Sequence, residues 1–139
     1  MTDDDRGAVG PAELEANNTV VEQAIARIIN EGDVDAADEL YAPSVAAEVK
    51  TWVAPFRASF PDVQMTTVSL IAEGDTVVGH FRCSGTHRGR WLGQEPTGRR
   101  FEEVNEVYWF TVVAGRIASW WGLEDNQARL KQLGLLPGS

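Results

Sequence analysis

Residues 101–125, FEEVNEVYWFTVVAGRIASWWGLED, decide the fold of this chain. Two runs in which apolar and polar residues alternate flank the dipeptide Ala114-Gly115. Such a pattern is typical of two antiparallel strands joined by a tight turn. A two-residue turn pairs Val113 with Arg116, and this pairing sets the register of the whole predicted hairpin.

The predicted register divides the side chains of this hairpin between two faces. The first face is predicted to carry Glu106, Tyr108, Trp121, Leu123 and Asp125. The second face has Trp109 directly opposite Trp120. Two tryptophans expose much aromatic surface, and aromatic residues are enriched at the centres of protein interfaces. We therefore predict a homodimer through the outer sheet face; the alternative is a one-residue slip of register that places the pair in the core.

The rest of the chain places helices before this sheet. Residues 64–83 alternate with a period of two about Gly74-Asp75, which predicts another hairpin. Residues 11–60 carry apolar residues at three- and four-residue spacing, interrupted at Gly32 and Pro43, which predicts three helices. A short last helix follows from about Asn126. This order predicts an α+β fold with the helices on one side of a curved, mainly antiparallel sheet.

Composition limits the classes of partner. The net charge of −9 argues against nucleic acid and against an anionic membrane surface. One cysteine, Cys83, and two histidines are too few for an ordinary structural zinc site, and we predict no metal. The acidic N-terminus has no apolar run behind it, so we expect a cytoplasmic protein. Residues 1–10 are predicted to be a flexible tail and residues 11–139 a single domain.

Several short motifs in the second half resemble those of one known family. In chain order they are FPD (60–62), AEGDTV (72–77), GTHRG (85–89), PTGR (96–99), AGRI (114–117), Trp121 with Asp125 four residues on, and QLG (132–134). Their order and spacing resemble the SnoaL-like polyketide cyclase (ester cyclase) family. The resemblance implies a cone-shaped α+β barrel of the nuclear-transport-factor type, usually dimeric. It also implies an intramolecular aldol condensation that closes a ring on an aromatic polyketide ester, without a cofactor.

The resemblance gives Asp125 the role of general acid/base in that reaction. An apolar pocket raises the pKa of a carboxylate toward the working pH, as proton transfer requires. The alternative is a helix N-cap, because an aspartate before a helix accepts hydrogen bonds from the first-turn amides. An epoxide hydrolase or cyclase, a hydroxylase, an isomerase and a binding protein without turnover also stay open on this fold.

Other candidate residues surround Asp125. Glu106 forms an acid/base pair with it or is solvated or paired with an arginine. An apolar or aromatic small-molecule substrate is expected to contact Trp121, Tyr108, Phe60, Phe56 and Leu123. His87 is an alternative base at the pocket mouth or a loop anchor. Cys83 is expected to be buried and unreactive.

Overall fold

The computed structural model describes residues 9–136. Most of the predicted tail, residues 1–8, lies outside the described residues, as do residues 137–139. Among the residues described, no helix combines the length and the apolar character that crossing a bilayer requires.

Helices fill the first half of the chain, as the periodicity predicts. The first helix, α1, begins with Pro11 in its first turn, where proline is favoured. It continues without a break into a π-helical segment and ends before Gly32, which has a φ of 78°. The third helix, α3, begins at Pro43 and contains Pro55. The elements are α1 (Pro11–Gln23), the π segment (Ala24–Asn30), a 3₁₀ turn (Val34–Ala36), α2 (Ala37–Leu40) and α3 (Pro43–Ser59).

A four-stranded antiparallel sheet and a short helix follow. The order in the sheet is β1-β2-β3-β4, with sequential strands as neighbours. The elements are β1 (Gln64–Glu73), β2 (Thr76–Thr86), β3 (Arg100–Val113), β4 (Arg116–Glu124) and α4 (Asn126–Gln132). The α+β class is confirmed. Across the described residues the sheet stays open, so the predicted barrel does not close.

The last hairpin begins as predicted and then departs from the predicted register. Val113 pairs with Arg116, and both Ala114 and Gly115 have positive φ, as a tight hairpin turn requires. The ladder then shifts at Ala118, which has no partner on β3, so Thr111 pairs with Ser119. Such a bulge moves every later residue of the bulged strand by one position.

The prediction that Trp109 pairs with Trp120 is therefore wrong. Trp109 pairs with Trp121, and their rings stack with centroids 4.8 Å apart. Trp120 instead pairs with Phe110 on the inner face, and Tyr41 packs edge-on against it at 5.7 Å. Because β4 is shifted, the exposed large apolar residues of its second half are Trp121 at 58% and Leu123 at 69%.

The outer sheet face carries an apolar row that crosses all four strands. Ile71 pairs with Val78, Val78 with Trp109, and Trp109 with Trp121. This row is the outer row. The inner face packs against the helices, and Phe81 and Phe110 lie in that core.

Candidate active site

An apolar cavity lies between the helices and the inner sheet face. Its lining residues come from the π segment, α3 and the strands β1, β3 and β4, together with Tyr41. They are Ile25, Ile29, Tyr41, Trp52, Met65, Tyr108, Phe110 and Trp120. The cavity volume is about 20 Å³, which holds about one water molecule. Trp52, at 37%, is the most exposed of the lining side chains.

The π segment forms one wall of this cavity and is fixed at its end. The Asn30 side chain pairs with the Met65 backbone: Nδ2 donates to Met65 O at 3.0 Å, and Met65 N donates to Oδ1 at 2.7 Å. Arg57 donates to the carbonyls of Ile29 and Asn30 at 2.5 and 3.1 Å. These bonds satisfy carbonyls at the helix end, which otherwise lack partners. Ile25 and Ile29 are thereby held against the cavity.

A cluster of hydrogen-bonding side chains begins at Tyr108, one of the lining residues. Its Oη lies 2.8 Å from Glu106 Oε1 and 2.9 Å from Glu124 Oε1. Glu106 and Glu124 are paired across β3 and β4, so both carboxyls reach the same phenol. Glu106 also accepts a hydrogen bond from Arg129 Nη2, and each of these two residues is 1% exposed. We call Glu106, Tyr108 and Glu124 the carboxyl–phenol cluster.

Burial shapes the electrostatics of this cluster. It raises the pKa of Glu106; Arg129 opposes that rise, and Glu124 adds to it. Burial and the two nearby carboxylates also raise the pKa of Tyr108, so the phenol keeps its proton. Burial alone would lower the pKa of Arg129, but Glu106 raises it above its ordinary value. Burial raises the pKa of the neighbouring Cys83 thiol to about 12, so this thiol is neutral.

A glycine makes room for the phenol. Gly122 pairs with Tyr108, and a Cβ built at Gly122 would lie 2.2 Å from Tyr108 Cδ1. No side chain fits there without displacing the ring. Gly122 therefore lets Tyr108 lie over β4 and reach Glu124.

Asp125 lies outside the cavity. Its Oδ1 accepts a hydrogen bond from Ala128 N at 3.0 Å, and the residue is exposed at the N-cap of α4. This is the helix N-cap arrangement, which the sequence analysis gives as the alternative to a catalytic role. The catalytic role of Asp125 stays a prediction.

The predicted substrate contacts Phe56 and Phe60 pack elsewhere. Phe60 is fully buried and lies against Phe101 and His87, with ring centroids 5.0 and 5.5 Å apart. Phe56 packs on Phe60 and near the Arg129 guanidinium. Neither Phe56 nor Phe60 lines the cavity. Of the predicted contacts, Tyr108 lines it, whereas Trp121 and Leu123 are exposed on the other face.

His87 holds the loop between β2 and β3. It is fully buried, and its Nδ1 accepts a hydrogen bond from Thr97 N at 3.1 Å. Its backbone N donates to Arg99 O, and Gly98 N donates to its carbonyl. Because Nδ1 is an acceptor, Nε2 carries the proton, and Nε2 has no hydrogen-bond partner within residues 9–136. His87 therefore holds the β2–β3 loop through hydrogen bonds, and its ring does not line the cavity.

Sequence reasoning missed several members of the site. The predicted register puts Trp120 on the outer face, and the pattern does not single out Glu124, because nothing in it marks the bulge. Arg129 was missed because buried arginines are rare and no local pattern marks one. Within the part of the chain that the structure describes, no three His, Cys, Asp or Glu side chains converge in a way that would hold a metal ion.

The sequence matches one family profile over most of its length. The profile of the SnoaL-like polyketide cyclase family matches residues 19–133. The nogalonic acid methyl ester cyclase of Streptomyces nogalater is 32% identical over 93 residues, which span 66% of this chain and 66% of that protein.

Solved structures share the fold. A candidate SnoaL-like polyketide cyclase from Jannaschia sp. CCS1 superposes with a TM-score of 0.82 at 21% identity, over 94% of this chain and 99% of its own. IdmH, a candidate polyketide cyclase from Streptomyces antibioticus, has a TM-score of 0.72 at 29% identity, over 85% of this chain and 98% of its own. AclR, a candidate hydroxylase from Streptomyces galilaeus, has a TM-score of 0.80 at 23% identity, over 91% and 85%. On the match to the family profile and the shared fold, this chain belongs to the SnoaL-like polyketide cyclase family.

Proposed function

We propose that the protein is a cyclase that closes a ring on a polyketide-like ester by an intramolecular aldol reaction. The observation that carries this proposal is the apolar cavity, where the Tyr108 phenol is backed by two carboxyls. An aldol closure needs a base for an acidic α-proton and a donor for the carbonyl oxygen that becomes an alkoxide. The cluster contains groups of both kinds. The name of the Streptomyces nogalater relative supports an ester of this class as the substrate.

Two assignments of the acid/base group compete. The family resemblance favours Asp125, whose side chain is exposed and caps α4. The geometry favours the carboxyl–phenol cluster, because Tyr108 lines the cavity and binds both carboxyls. We propose that the cluster performs the proton transfers.

The cavity walls suit a flat, apolar substrate. Tyr41, Trp52 and Trp120 supply aromatic faces on which a ring can stack. Drug-sized ligands occupy pockets of roughly 300–1,000 Å³, so the substrate has to enlarge this cavity as it enters. Trp52 is the most exposed lining side chain, so we propose that it moves to admit the substrate.

Matched variants test the proposal. Nogalonic acid methyl ester is incubated with the wild-type protein, Y108F and D125N, and ring closure is followed by liquid chromatography. Asparagine is as good an N-cap as aspartate, so Asp125→Asn removes the carboxylate and keeps the cap. The cluster assignment predicts a loss of about 10²-fold or more in Y108F and a smaller loss in D125N. Full activity in Y108F with inactive D125N would return the role to Asp125.

The small cavity favours a second candidate function, which is binding of a small molecule without turnover. A cavity of about 20 Å³ is nearly filled by its own side chains. Native mass spectrometry with the same ester distinguishes the two functions. Ester bound and released unchanged supports binding alone, whereas conversion to the cyclised product supports the enzyme.

We also propose that the protein forms a homodimer through the outer row. This row is apolar, and its members Ile71 and Trp121 are 64% and 58% exposed. Trp109 and Trp121 take the place of the Trp109 and Trp120 pair predicted from the sequence. Light scattering should give twice the monomer mass for the wild type and a weaker dimer for W121A. A wild-type monomer at micromolar concentration contradicts this proposal.

A cytoplasmic location is proposed on the state of Cys83. This cysteine is buried and makes no disulfide, which suits a reducing compartment. Cell fractionation of the source organism with an antibody would test it; recovery in the culture medium would contradict it.

A further inference from the structure

A continuous chain of hydrogen bonds runs from the buried interior to the surface through the carboxyl–phenol cluster. Arg129, on α4, donates to Glu106. Glu106 contacts the Tyr108 hydroxyl, and this hydroxyl contacts Glu124, which is exposed. The chain thus joins a residue of the cavity wall to a carboxyl that exchanges protons with solvent.

The two contacts of the phenol need more protons than the phenol has. Each oxygen–oxygen contact, at 2.8 and 2.9 Å, is a hydrogen bond only if a proton lies in it. Tyr108 carries one hydroxyl proton, and an ionised carboxylate is an acceptor only. With both carboxylates ionised, one contact would bring two acceptors together. The cluster therefore needs one further proton, on Glu106 or Glu124.

The charges around the cluster favour the same conclusion. The charged and titratable groups around the cluster are Arg129 on α4, Cys83 on β2, Tyr108 on β3 and Glu124 on β4, and Asn126 Nδ2 lies 3.4 Å from Glu124 Oε2. The phenol and the thiol are neutral, so the single guanidinium balances one carboxylate. Glu124 is exposed, but its negative charge beside Glu106 disfavours ionisation of Glu106. Burial also raises the pKa of Glu106, in agreement with this count.

We propose that Glu106, Tyr108 and Glu124 share one exchangeable proton at neutral pH, and that Tyr108 delivers it to the substrate oxygen during ring closure. The use of this proton rests on the proposed cyclase function; its presence does not. A shift of two protons along the chain moves the negative charge from Glu106 to Glu124. Arg129 and Glu106 thus act as positioning residues, because they fix where the charge lies before the substrate arrives.

The reaction then balances without a further reagent. The ionised Glu124 takes the proton of the α-carbon, and the C–H electron pair forms the new C–C bond to the carbonyl carbon. The carbonyl π pair moves to oxygen, which takes the phenol proton, and a carboxyl of the pair returns a proton to the phenol. The cluster ends with one neutral and one ionised carboxyl, as it began.

Infrared spectroscopy detects the stored proton independently of any activity. A neutral carboxylic acid has a C=O stretching band that ionised carboxylates lack. We expect the wild type to show this band at neutral pH and E124Q to lose it, because one carboxylate then balances Arg129. E102Q is the matched control on the neighbouring strand β3; Glu102 is exposed and pairs with Arg100, so the band should stay. Absence of the band in the wild type, or its persistence in E124Q, overturns the proposal.

Kinetics test how the proton is used. With an ester that the wild type cyclises, E124Q should lower kcat by about 10²-fold or more, and E102Q should not. An E124Q variant as active as E102Q overturns the delivery step even if the band is present. If the wild type closes no ring on any ester, the cyclase function and the delivery step fail together. The infrared band then still decides whether the cluster holds the proton.

Discussion

Trp120 and Trp121 are neighbours in the sequence and lie on opposite faces of the sheet. Trp120 lines the cavity and packs against Tyr41, whereas Trp121 is 58% exposed and stacks on Trp109. The same division holds two residues further along β4. Gly122 lies on the inner face beneath Tyr108, whereas Leu123 is exposed on the outer face. The difference shows that one unpaired residue, Ala118, decides which side chains of β4 reach the cavity.

The largest expected effect comes from removing the buried positive charge of Arg129. R129M removes the buried guanidinium that balances Glu106. Breaking a buried pair in this way costs about 3–5 kcal/mol of the free energy of unfolding. K131M, on the exposed side of the same helix, should change it by less than about 0.5 kcal/mol. Urea denaturation measures both; equal stabilities would contradict a buried ion pair.

Truncation of the two tryptophans compares the faces directly. W120A should lower the free energy of unfolding by about 3 kcal/mol, because it removes an aromatic ring packed against Tyr41 and the core. W121A should cost about 1 kcal/mol in the monomer, since its ring loses mainly the stack on Trp109. Denaturation at low protein concentration keeps dimer formation out of the comparison. If W121A destabilised the protein more than W120A, the register without a bulge would be the correct one.

The close approach of Tyr108 to β4 predicts the effect of a single methyl group. G122A places a Cβ against the ring, which must move or strain the strand. We expect a loss of about 1–3 kcal/mol in the free energy of unfolding and a tyrosine that no longer reaches Glu124. S119A, at an exposed site of the same strand, is the control and should be close to neutral. A G122A protein as stable as the wild type means that the ring lies elsewhere.

The smallest expected effect is the pH dependence linked to Glu106. Its pKa is raised in the folded state from the ordinary value of 4.5, so folding favours the protonated carboxyl. Stability from this group is therefore present below about pH 4.5 and is lost as the pH rises through the raised pKa. The slope is at most about 1.4 kcal/mol per pH unit. Denaturation of wild type and E106Q across this range isolates it; parallel curves would mean that the pKa is not raised.

Much of the fold follows from periodicity, and the register does not. Helix spacing in residues 11–60 and strand alternation after Gln64 predict the elements, because each pattern reflects a face that has to be buried. The turn at Ala114-Gly115 correctly predicts the first pair, Val113 with Arg116. The bulge at Ala118 leaves no mark in the alternation, because either of the adjacent tryptophans that follow it, Trp120 or Trp121, suits the inner face.

The candidate site could be predicted in part for the same reason. Glu106 and Tyr108 lie on β3, before the bulge in the ladder, and are placed on the inner face as alternation predicts. Trp120 lies after it and lies on the face predicted for Trp121, whereas Glu124, which also lies after it, is not singled out by the pattern. Phe60 is buried and Phe56 half-buried, as their helical spacing suggests, but tertiary packing places them near His87 and Arg129. No local pattern distinguishes a core phenylalanine from one that lines a cavity.

The most direct test of the central claim is a crystal structure of the protein with a bound aromatic polyketide ester. We predict that the ring system lies between Trp52 and Trp120 and that a carbonyl oxygen lies within hydrogen-bond distance of Tyr108 Oη. A ligand whose carbonyl contacts Asp125 instead, or one that binds on the outer row, would contradict the account.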